Sequence, residues 1–354
     1  MKPNTLSQPW PLDGLEAVTA CPVCGDSQRR TLYDDLTDSV FFCAPGTWSL
    51  HECNGCRSAY LDPRPTPETI HLAYQAYYTH LGPSVPETAD ALRGLRLMRR
   101  MLTNGYRNWR YGTRDQPASR LGVIAAYCLP TLKRLIDREL RYLPAPANDR
   151  RLLDVGFGGG TFLDAASRAG WIASGVDPDP VAVSNGKQRG LDVRLGGIEA
   201  FLDQSPLYDV VTMSHVIEHV HDPITQLKQV YSLLKPGGRL WLDTPNIRSN
   251  GHARFNRNWR GLETPRHLTL FTWDAMLKAL RDIGFQNIRR RVPHEVSHFI
   301  YTASERISHG VDPYAQSKLG AATQWRARAA HLKSCMFWRS SEFITLVAFK
   351  PDEQ

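Results

Sequence analysis

The sequence has no apolar run long enough to cross a membrane. The longest such stretch, Leu121 to Leu132, has 12 residues and contains a proline, whereas a membrane-spanning helix needs about 20 apolar residues. No internal repeat and no low-complexity tract is visible, and the start of the chain has no apolar core of signal-peptide length. We therefore expect a cytoplasmic protein without a transmembrane segment.

The composition also lacks the features of a disordered chain. Hydrophobic residues make up 42% of the 354 positions and charged residues 22%, which is typical of an ordered globular protein. At about 150 residues per domain, this length predicts about two domains. The 43 basic and 35 acidic residues give a net charge of +8, which is compatible with anionic partners such as nucleotide sugars, nucleic acid or a membrane surface.

Acidic residues are scarce in one basic stretch of the chain. Between Arg93 and Arg120 there are eight arginines and a single acid, Asp115. A solvated helix face is the simpler interpretation, and an amphipathic face in peripheral contact with a membrane is the alternative. A second group of arginines, between Arg248 and Arg266, is suited to hold a diphosphate through bidentate hydrogen bonds.

Four of the seven cysteines form two pairs with a spacing typical of a metal site. Cys21 and Cys24 form one CxxC pair, Cys53 and Cys56 form the other, and 28 residues separate them. Each pair is expected to form a knuckle that brings two thiolates together, so that two knuckles complete a tetrahedral Zn²⁺ site. A redox CxxC would need only one pair. We therefore predict structural zinc, with no coordination position left open.

The chain is predicted to divide into three parts. Residues 1–62 should form a short β-rich zinc ribbon, because residues 28–50 contain strand-forming residues without a helical period. A proline-rich run then opens residues 63–148, which we predict to be a helical connector or lid. Thr66 would cap a helix over 67–79 that carries Tyr77 and Tyr78. The third part is residues 149–354.

Short apolar strands alternate with helices in this third part. We predict strands at 152–155, 171–176, 191–195, 209–213 and 239–243, and helices at 161–169, 180–189 and 223–234. Such alternation indicates right-handed βαβ crossovers and a parallel sheet covered by helices. A helix at 273–283 and strands at 285–292 and 343–349 should complete an α/β domain, with a helical insertion at about 293–341.

A glycine-rich turn follows the first of these strands. Asp154, Gly156, Gly158 and Gly160 form a D-x-G-x-G-x-G pattern that opens a helix, where glycines allow close backbone approach to a ligand and the helix start exposes N–H groups. Asp177 ends the second strand, where a carboxylate can accept hydrogen bonds from both ribose hydroxyls. Two nucleotide classes fit these residues: NAD and S-adenosylmethionine.

The pattern resembles motif I of class I S-adenosylmethionine-dependent methyltransferases. The resemblance covers most of residues 150–292, including the run Ser214-His215-Val-Ile-Glu218-His219 and the turn Lys235-Pro-Gly-Gly238. It implies a Rossmann-like seven-stranded methyltransferase sheet and S-adenosylmethionine as cofactor. The glycine turn would hold the methionine part, the acid after the second strand the ribose, and residues after the third strand the adenine. The implied cofactor-binding residues are Asp154, Gly156, Gly158, Gly160, Asp177, Pro178, Gly197, Ile198 and Ser214.

Two further runs resemble methyltransferases with an N-terminal zinc domain. One extends from Cys53 to the tyrosines at 74–78, and the other contains Thr244-Pro-Asn246 and Glu263-Thr-Pro-Arg266-His267. Some of these enzymes are sugar C-methyltransferases that act on nucleotide-linked deoxy-ketosugars. The resemblance therefore implies methyl transfer to a small molecule, with a sugar or a polysaccharide or secondary-metabolite precursor as the favoured acceptor.

Methyl transfer to carbon or oxygen requires a proton acceptor, and histidine suits this role near neutral pH. In the sugar enzymes a Glu-His pair follows a tyrosine, whereas here the glutamate and histidine are four residues apart and no tyrosine precedes them. The candidate catalytic residues are His267, Glu263 and His215. The candidate contacts to the methyl acceptor are Tyr77, Tyr78, Asn246 and Arg266.

Two other functions were weighed against this one. A zinc ribbon with positive charge also fits RNA, but the Asn/Asp-Pro-Pro-aromatic motif common in base methylation is replaced here by Met213-Ser214-His215. Nucleic acid is therefore a disfavoured partner. A zinc-dependent interaction protein on an inactive methyltransferase scaffold is the other alternative, and the intact glycines and Asp177 argue against it. The sequence does not identify the methyl acceptor or decide between C-, O- and N-methylation.

Overall fold

The structure is a computed structural model that describes residues 9–75, 94–145, 149–204, 207–291, 297–315 and 320–352. Tyr77 and Tyr78, two of the predicted acceptor contacts, lie outside these residues. None of the helices within the described ranges is long and apolar enough to cross a membrane.

The N-terminal part is β-rich, as predicted. Its strands are β1 (Leu15–Glu16), β2 (Arg29–Leu36), β3 (Trp48–Cys53), β4 (Ala59–Leu61) and β5 (Arg64–Pro65). Strands β2, β3 and β4 pair antiparallel in chain order, and β1 pairs antiparallel with β5. The CxxC pairs flank this sheet, because Cys53 ends β3 and the other three cysteines lie in the turns beside it.

The helix predicted over 67–79 differs from the structure in its described part. A 3-10 helix runs over Ile70–Tyr74, and it is preceded by Thr69 rather than capped by Thr66. The reason is that the segment before it is anchored elsewhere: the Thr69 hydroxyl donates to the Gly14 carbonyl at 2.7 Å, and the backbone N–H of Thr66 donates to the same carbonyl at 2.9 Å. These two contacts fix the backbone at the start of the segment that forms the 3-10 helix.

Three helices follow, α1 (Leu95–Tyr111), α2 (Leu121–Cys128) and α3 (Pro130–Glu139). Helices α1 and α2 are in backbone contact through glycine. A Cβ added to Gly122 would lie 2.0 Å from the carbonyl oxygen of Leu102, and one added to Gly105 would lie 1.7 Å from that of Ser119. No side chain fits at either position, so these two glycines set the separation of the helices.

A seven-stranded sheet follows α3 in the chain, which confirms the predicted α/β class. Its first five strands are β6 (Arg151–Val155), β7 (Ile172–Asp177), β8 (Asp192–Leu195), β9 (Tyr208–Ser214) and β10 (Leu234–Pro245). The two-residue strand β11 (Thr269–Leu270) belongs to a different sheet, because it pairs antiparallel with β4. Strands β12 (Gln286–Arg290) and β13 (Phe343–Phe349) complete the seven.

The strand order across the sheet is β12-β13-β10-β9-β6-β7-β8. Strands β6, β7 and β8 are parallel, and β13 is antiparallel to β12. The last strand in the chain is therefore inserted between β10 and β12, and the strand order reverses on either side of β6. This order is that of a doubly wound sheet with a ligand-binding switch point beside its first strand.

Within the described residues, seven α-helices lie between these strands. Those that were predicted lie close to their predicted positions. The seven helices are α4 (Thr161–Arg168), α5 (Pro180–Gln188), α6 (Pro223–Leu233), α7 (Asn250–Phe255), α8 (Trp273–Ile283), α9 (Ser297–Ser308) and α10 (Ala321–Met336). Helices α9 and α10 lie within residues 293–341, and the assignment of that range as an insertion stays a prediction.

The described residues fall into two compact units. Unit 1 consists of the described residues within Met1–Tyr78, Met213–Tyr231 and Leu242–Pro351. Unit 2 consists of the described residues within Thr79–Thr212, Ser232–Trp241 and Asp352–Gln354. The core of unit 1 joins Trp10 and Trp48 of the N-terminal part to Trp259 and Leu268. The core of unit 2 joins Tyr106 and Tyr111 of α1 to residues of α3, α4 and α5. The division into residues 1–62, 63–148 and 149–354 stays a prediction.

Candidate functional site

The four predicted zinc ligands lie together in unit 1. The Sγ atoms of Cys21 and Cys56 are 3.6 Å apart, and those of Cys24 and Cys53 are 3.5 Å apart. Zn–S bonds of about 2.3 Å in a tetrahedron place the sulfurs about 3.8 Å apart. The four thiols therefore have the number, chemistry and spacing that a structural Zn²⁺ ion requires.

Both cysteine pairs adopt the same backbone turn. The N–H of Gly25 donates to the Cys21 carbonyl at 2.9 Å, and the N–H of Arg57 donates to the Cys53 carbonyl at 3.1 Å. Gly25 has a φ of 77° and Arg57 a φ of 63°, so each knuckle closes through a left-handed residue. This residue is glycine in the first knuckle and arginine in the second.

The glycine turn of unit 2 has the backbone conformation that its sequence requires. Gly156, Gly158 and Gly160 have φ values of 69°, 53° and 71°, in the region that side chains disfavour. Asp177 accepts a hydrogen bond from the Gly158 N–H at 2.8 Å and from the Asp179 N–H at 2.9 Å. Each carboxylate oxygen can accept a second hydrogen bond, so Asp177 retains acceptor capacity for ribose hydroxyls.

Asp154 is fully buried and ion-paired with Arg141. Its Oδ1 also accepts a hydrogen bond from the Thr212 hydroxyl at 2.8 Å, and burial raises its pKa. Its Oδ2 is buried without a hydrogen-bond partner among the described residues. A buried acceptor of this kind, next to a glycine turn, fits a ligand that brings a donor such as the ammonium group of a methionine moiety.

Sequence reasoning missed Arg141. Its guanidinium lies 3.8 Å from the ring centroid of Phe162 and 5.3 Å from that of Trp241, and it donates to the Thr212 hydroxyl at 2.7 Å. The residue precedes the predicted first strand and belongs to no motif, so nothing local in the sequence distinguishes it from the other arginines.

The remaining predicted cofactor residues are placed as follows. Pro178 is exposed, and Ile198 is buried at the start of a 3-10 helix. The N–H of Gly197 donates to Glu199 at 2.8 Å. These three residues belong to unit 2, whereas Ser214 belongs to unit 1 and is half-buried at the end of β9. Their contacts with a cofactor stay predictions.

His215 follows β9 in unit 1 and lies between two carboxylates. Its Nδ1 is 3.2 Å from an oxygen of Glu218, and its Nε2 is 3.7 Å from an oxygen of Asp243. Its φ of 55° is rare for a residue other than glycine, and its N–H donates to the Asp243 carbonyl at 2.8 Å. The side chain is 33% exposed, so a substrate atom can reach it.

Glu218 is the buried centre of this cluster. Its second oxygen accepts a hydrogen bond from the Thr244 hydroxyl at 2.9 Å. Burial alone would raise the pKa of Glu218, but the hydrogen bond from His215 and the nearby histidines lower it to about 2. Glu218 is therefore a carboxylate throughout the neutral pH range.

His267 and Glu263, the predicted catalytic pair, are both buried. The Nε2 atom of His267 is 3.8 Å from an oxygen of Glu263, and its Nδ1 is 2.8 Å from the Gly261 carbonyl oxygen. Burial lowers the pKa of His267 to about 4, so the ring is neutral at pH 7. Glu263 is also ion-paired with Arg260, and its pKa is lowered despite its burial.

The two described acceptor candidates bind other parts of the protein. Arg266 is fully buried. Its guanidinium donates to Asp38 at 3.1 Å and to the Ala73 carbonyl at 2.7 Å. The amide nitrogen of Asn246 donates to the Ser341 carbonyl at 2.8 Å. Both side chains organise unit 1 in this structure, and their contacts with a methyl acceptor stay predictions.

Asp243 and Tyr74 are further residues that the sequence did not single out for this cluster. Tyr74 places its hydroxyl 2.9 Å from Nδ1 of His219. Asp243 lies near the carboxyl end of β10, a position where parallel strands often present functional groups. An acid at the end of a predicted strand was therefore a usable clue, whereas Tyr74 was part of a run that resembles other enzymes without an indication of its contact with His219.

Comparison with known proteins identifies relatives. Residues 129–290 match a family described as methyltransferase domain. A ubiquinone biosynthesis O-methyltransferase from Cereibacter sphaeroides is 40% identical over 167 residues, which cover 44% of this chain and 67% of the relative. One from Histophilus somni is 36% identical over 129 residues, which cover 32% of this chain and 54% of the relative. The matches thus span about half to two thirds of these curated relatives.

One solved structure with similarity to this chain is a SAM-dependent methyltransferase from Archaeoglobus fulgidus. It superposes with a TM-score of 0.42 at 20% identity, covering 62% of this chain and 93% of that one.

Proposed function

The chain belongs to the class I S-adenosylmethionine-dependent methyltransferases, and on that premise we propose that it methylates a small molecule. The observation that carries the proposal is the glycine turn of unit 2, whose Gly158 N–H orients the Asp177 carboxylate. This is the arrangement that a nucleoside with a free ribose requires.

The residues of the turn are suited to hold S-adenosylmethionine. Asp177 would accept from the ribose hydroxyls, and the buried Oδ2 atom of Asp154 would accept from the ammonium group. When bound, the cofactor supplies a methyl group on a good leaving group, so the protein contributes mainly alignment and exclusion of water. Gly197 and Ile198 after β8 remain the candidates for the adenine, and Ser214 for the sulfonium end.

We assign the proton-accepting role to His215. It is half-buried rather than enclosed, and Glu218 is a carboxylate that would stabilise the imidazolium formed when the acceptor loses its proton. Glu263 and His267 are enclosed, so we propose that they support this cluster from the protein side.

The proposed acceptor is a sugar or a polysaccharide precursor, including a nucleotide-linked sugar. The resemblance of the zinc-ligand run and the Glu263–His267 run to zinc-domain sugar methyltransferases supports this class. A phenolic hydroxyl is the second candidate, which is favoured by the 40% identity to a ubiquinone biosynthesis O-methyltransferase. Both acceptors require the removal of a proton, so both are compatible with the role of His215.

Cofactor binding is the first test. Purified protein is titrated calorimetrically with S-adenosylhomocysteine, together with Asp177→Ala and the control Asp203→Ala, which alters an exposed acid. Micromolar binding that only Asp177→Ala loses supports the proposal. A folded protein that does not bind the nucleoside at millimolar concentration would refute it.

Acceptor identity is the second test. Methyl transfer from labelled cofactor is measured with nucleotide sugars, phenols and RNA, and the product is examined by NMR to separate C- from O-methylation. A His215→Gln variant should lose about 100-fold or more in kcat with unchanged cofactor affinity. Transfer only to RNA would overturn the small-molecule assignment, and cofactor binding without transfer to any acceptor would favour the interaction protein.

A further inference from the structure

We propose that Glu218, His219 and His267 bind a divalent metal ion in unit 1, at a site distinct from the cysteine cluster. One ligand atom from each residue lies within 4.8 Å of the other two. Two of the three residues are buried, and the ring centroids of the histidines are 4.8 Å apart. Two imidazoles and one carboxylate form a recurrent ligand set for first-row transition metals.

The contacts of His219 fix the tautomer that a metal ligand needs. Its Nδ1 is 3.0 Å from the carbonyl oxygen of Arg266 and 2.9 Å from the hydroxyl oxygen of Tyr74. A carbonyl can only accept, so the contact with Arg266 is a hydrogen bond when Nδ1 carries the proton, and the tyrosine oxygen then accepts from the same N–H. The lone pair of the ring is consequently on Nε2.

His267 has the same arrangement. Its Nδ1 is 2.8 Å from the Gly261 carbonyl oxygen, so this nitrogen also carries the proton and Nε2 carries the lone pair. Ligating histidines in proteins usually donate their other ring N–H to a carbonyl or carboxylate, which orients the ring and sets its tautomer. Both rings are therefore oriented by backbone carbonyls as metal ligands are.

The carboxylate is also held in the form that binds a cation. Thr244 donates to one oxygen of Glu218 at 2.9 Å, and His215 lies 3.2 Å from the other. The three ligands together carry one negative charge, whereas the nearby Glu263 is paired with Arg260 and Arg266. Glu218 would therefore supply the negative charge that faces a divalent ion. Imidazole ligands favour Fe²⁺, Ni²⁺ and Zn²⁺ over Mg²⁺ and Ca²⁺, and the carboxylate also suits Mn²⁺.

The site has a chemical consequence if the proposed function is correct. An ion bound to Glu218 would fix the carboxylate that contacts His215, and would therefore position the proposed proton acceptor. This role rests on the proposed function, whereas the binding of the metal does not.

The test is a titration of the full-length, zinc-loaded protein with Mn²⁺, followed by the electron paramagnetic resonance of free Mn²⁺. Mn²⁺ does not displace zinc from thiolates, which prefer the softer ion. We expect one Mn²⁺ per chain, with affinity reduced at least about tenfold in His219→Gln and in Glu218→Gln. The control His252→Gln removes a half-buried histidine of the same unit and should bind Mn²⁺ as the parent does.

Zinc content and circular dichroism establish whether each variant is folded. If the buried-site variant Glu218→Gln does not fold, His219→Gln still tests the metal site. The absence of Mn²⁺ binding by the folded parent would overturn the proposal, as would unchanged binding in both ligand variants. The same samples are titrated with S-adenosylhomocysteine. A folded parent that binds the nucleoside but not Mn²⁺ refutes the metal site alone, and a folded parent that does not bind the nucleoside refutes the proposed function.

Discussion

Glu342 gives the chain a predictable dependence of stability on pH. The residue lies just before β13 and is 1% exposed. Its two oxygens accept hydrogen bonds from the Gly251 N–H at 2.8 Å and from the Trp259 indole N–H at 3.2 Å. Burial nevertheless raises the pKa of Glu342 from its ordinary value of 4.5 to about 7, because two hydrogen bonds do not replace full hydration.

The sign of the effect follows from proton linkage. The native protein holds this proton more tightly than the unfolded chain, so the stability contributed by the neutral carboxyl is complete below about pH 4.5 and is lost as the pH rises through about 7. One pKa unit corresponds to about 1.4 kcal/mol. The ionised carboxylate therefore costs about 3 kcal/mol at alkaline pH, of which about 2 kcal/mol develops between about pH 5.5 and 8.5.

The perturbation is Glu342→Gln, which keeps the shape and removes the charge. Urea unfolding of the zinc-loaded parent and variant is measured at about pH 5.5 and about pH 8.5. The difference between their free energies of unfolding is then compared at the two pH values. We expect this difference to move by about 2 kcal/mol in favour of glutamine at the higher pH. The control Asp282→Asn, at a side chain that is 60% exposed, should show no such change. An unchanged difference for Glu342→Gln would refute the reasoning.

Three other substitutions have expected outcomes. Gly122→Ala should lower the free energy of unfolding by about 2 kcal/mol or more, because the new Cβ meets an α1 carbonyl, whereas Gly320→Ala, in open space, should not. Cys56→Ser should abolish binding of one zinc in a colorimetric zinc assay, and Cys335→Ser should retain it. Asp38→Asn should cost about 3 kcal/mol in urea unfolding, because it removes the closer of the two carboxylates that are paired with the buried Arg266 guanidinium. A loss below about 1 kcal/mol would contradict the last expectation.

The elements that were predicted from sequence are those with local patterns. Strands β6 to β10 are short apolar runs between helices, and the glycine turn is encoded within seven residues. The CxxC pairs have a spacing that implies their contact. Strand β11 was not predicted, because two residues carry no periodicity and its pairing with β4 depends on the tertiary fold.

The candidate site was predicted less completely, because its contacts join distant parts of the chain. Arg266 and Asp38 are separated by 228 residues, and no pattern near either residue indicates the other. The chemistry of His215 also depends on Asp243, which the sequence presented only as the end of a strand. Residue types and strand ends predicted candidate groups, whose roles stay predictions, but their burial and their contacts had to come from the structure.

The antiparallel pairing of β11 with β4 has a consequence for the order of events during synthesis. The N–H of Leu61 donates to the carbonyl of Leu268, so the edge of the N-terminal sheet is completed by a segment that leaves the ribosome 207 residues later (268 minus 61). At about 5–20 residues per second, the delay is about 10–40 s. Throughout that interval β4 presents an open edge, and Trp10 and Trp48 lack their core partners Trp259 and Leu268. The nascent chain is therefore exposed to aggregation at this sheet until the segment around Leu268 has been made.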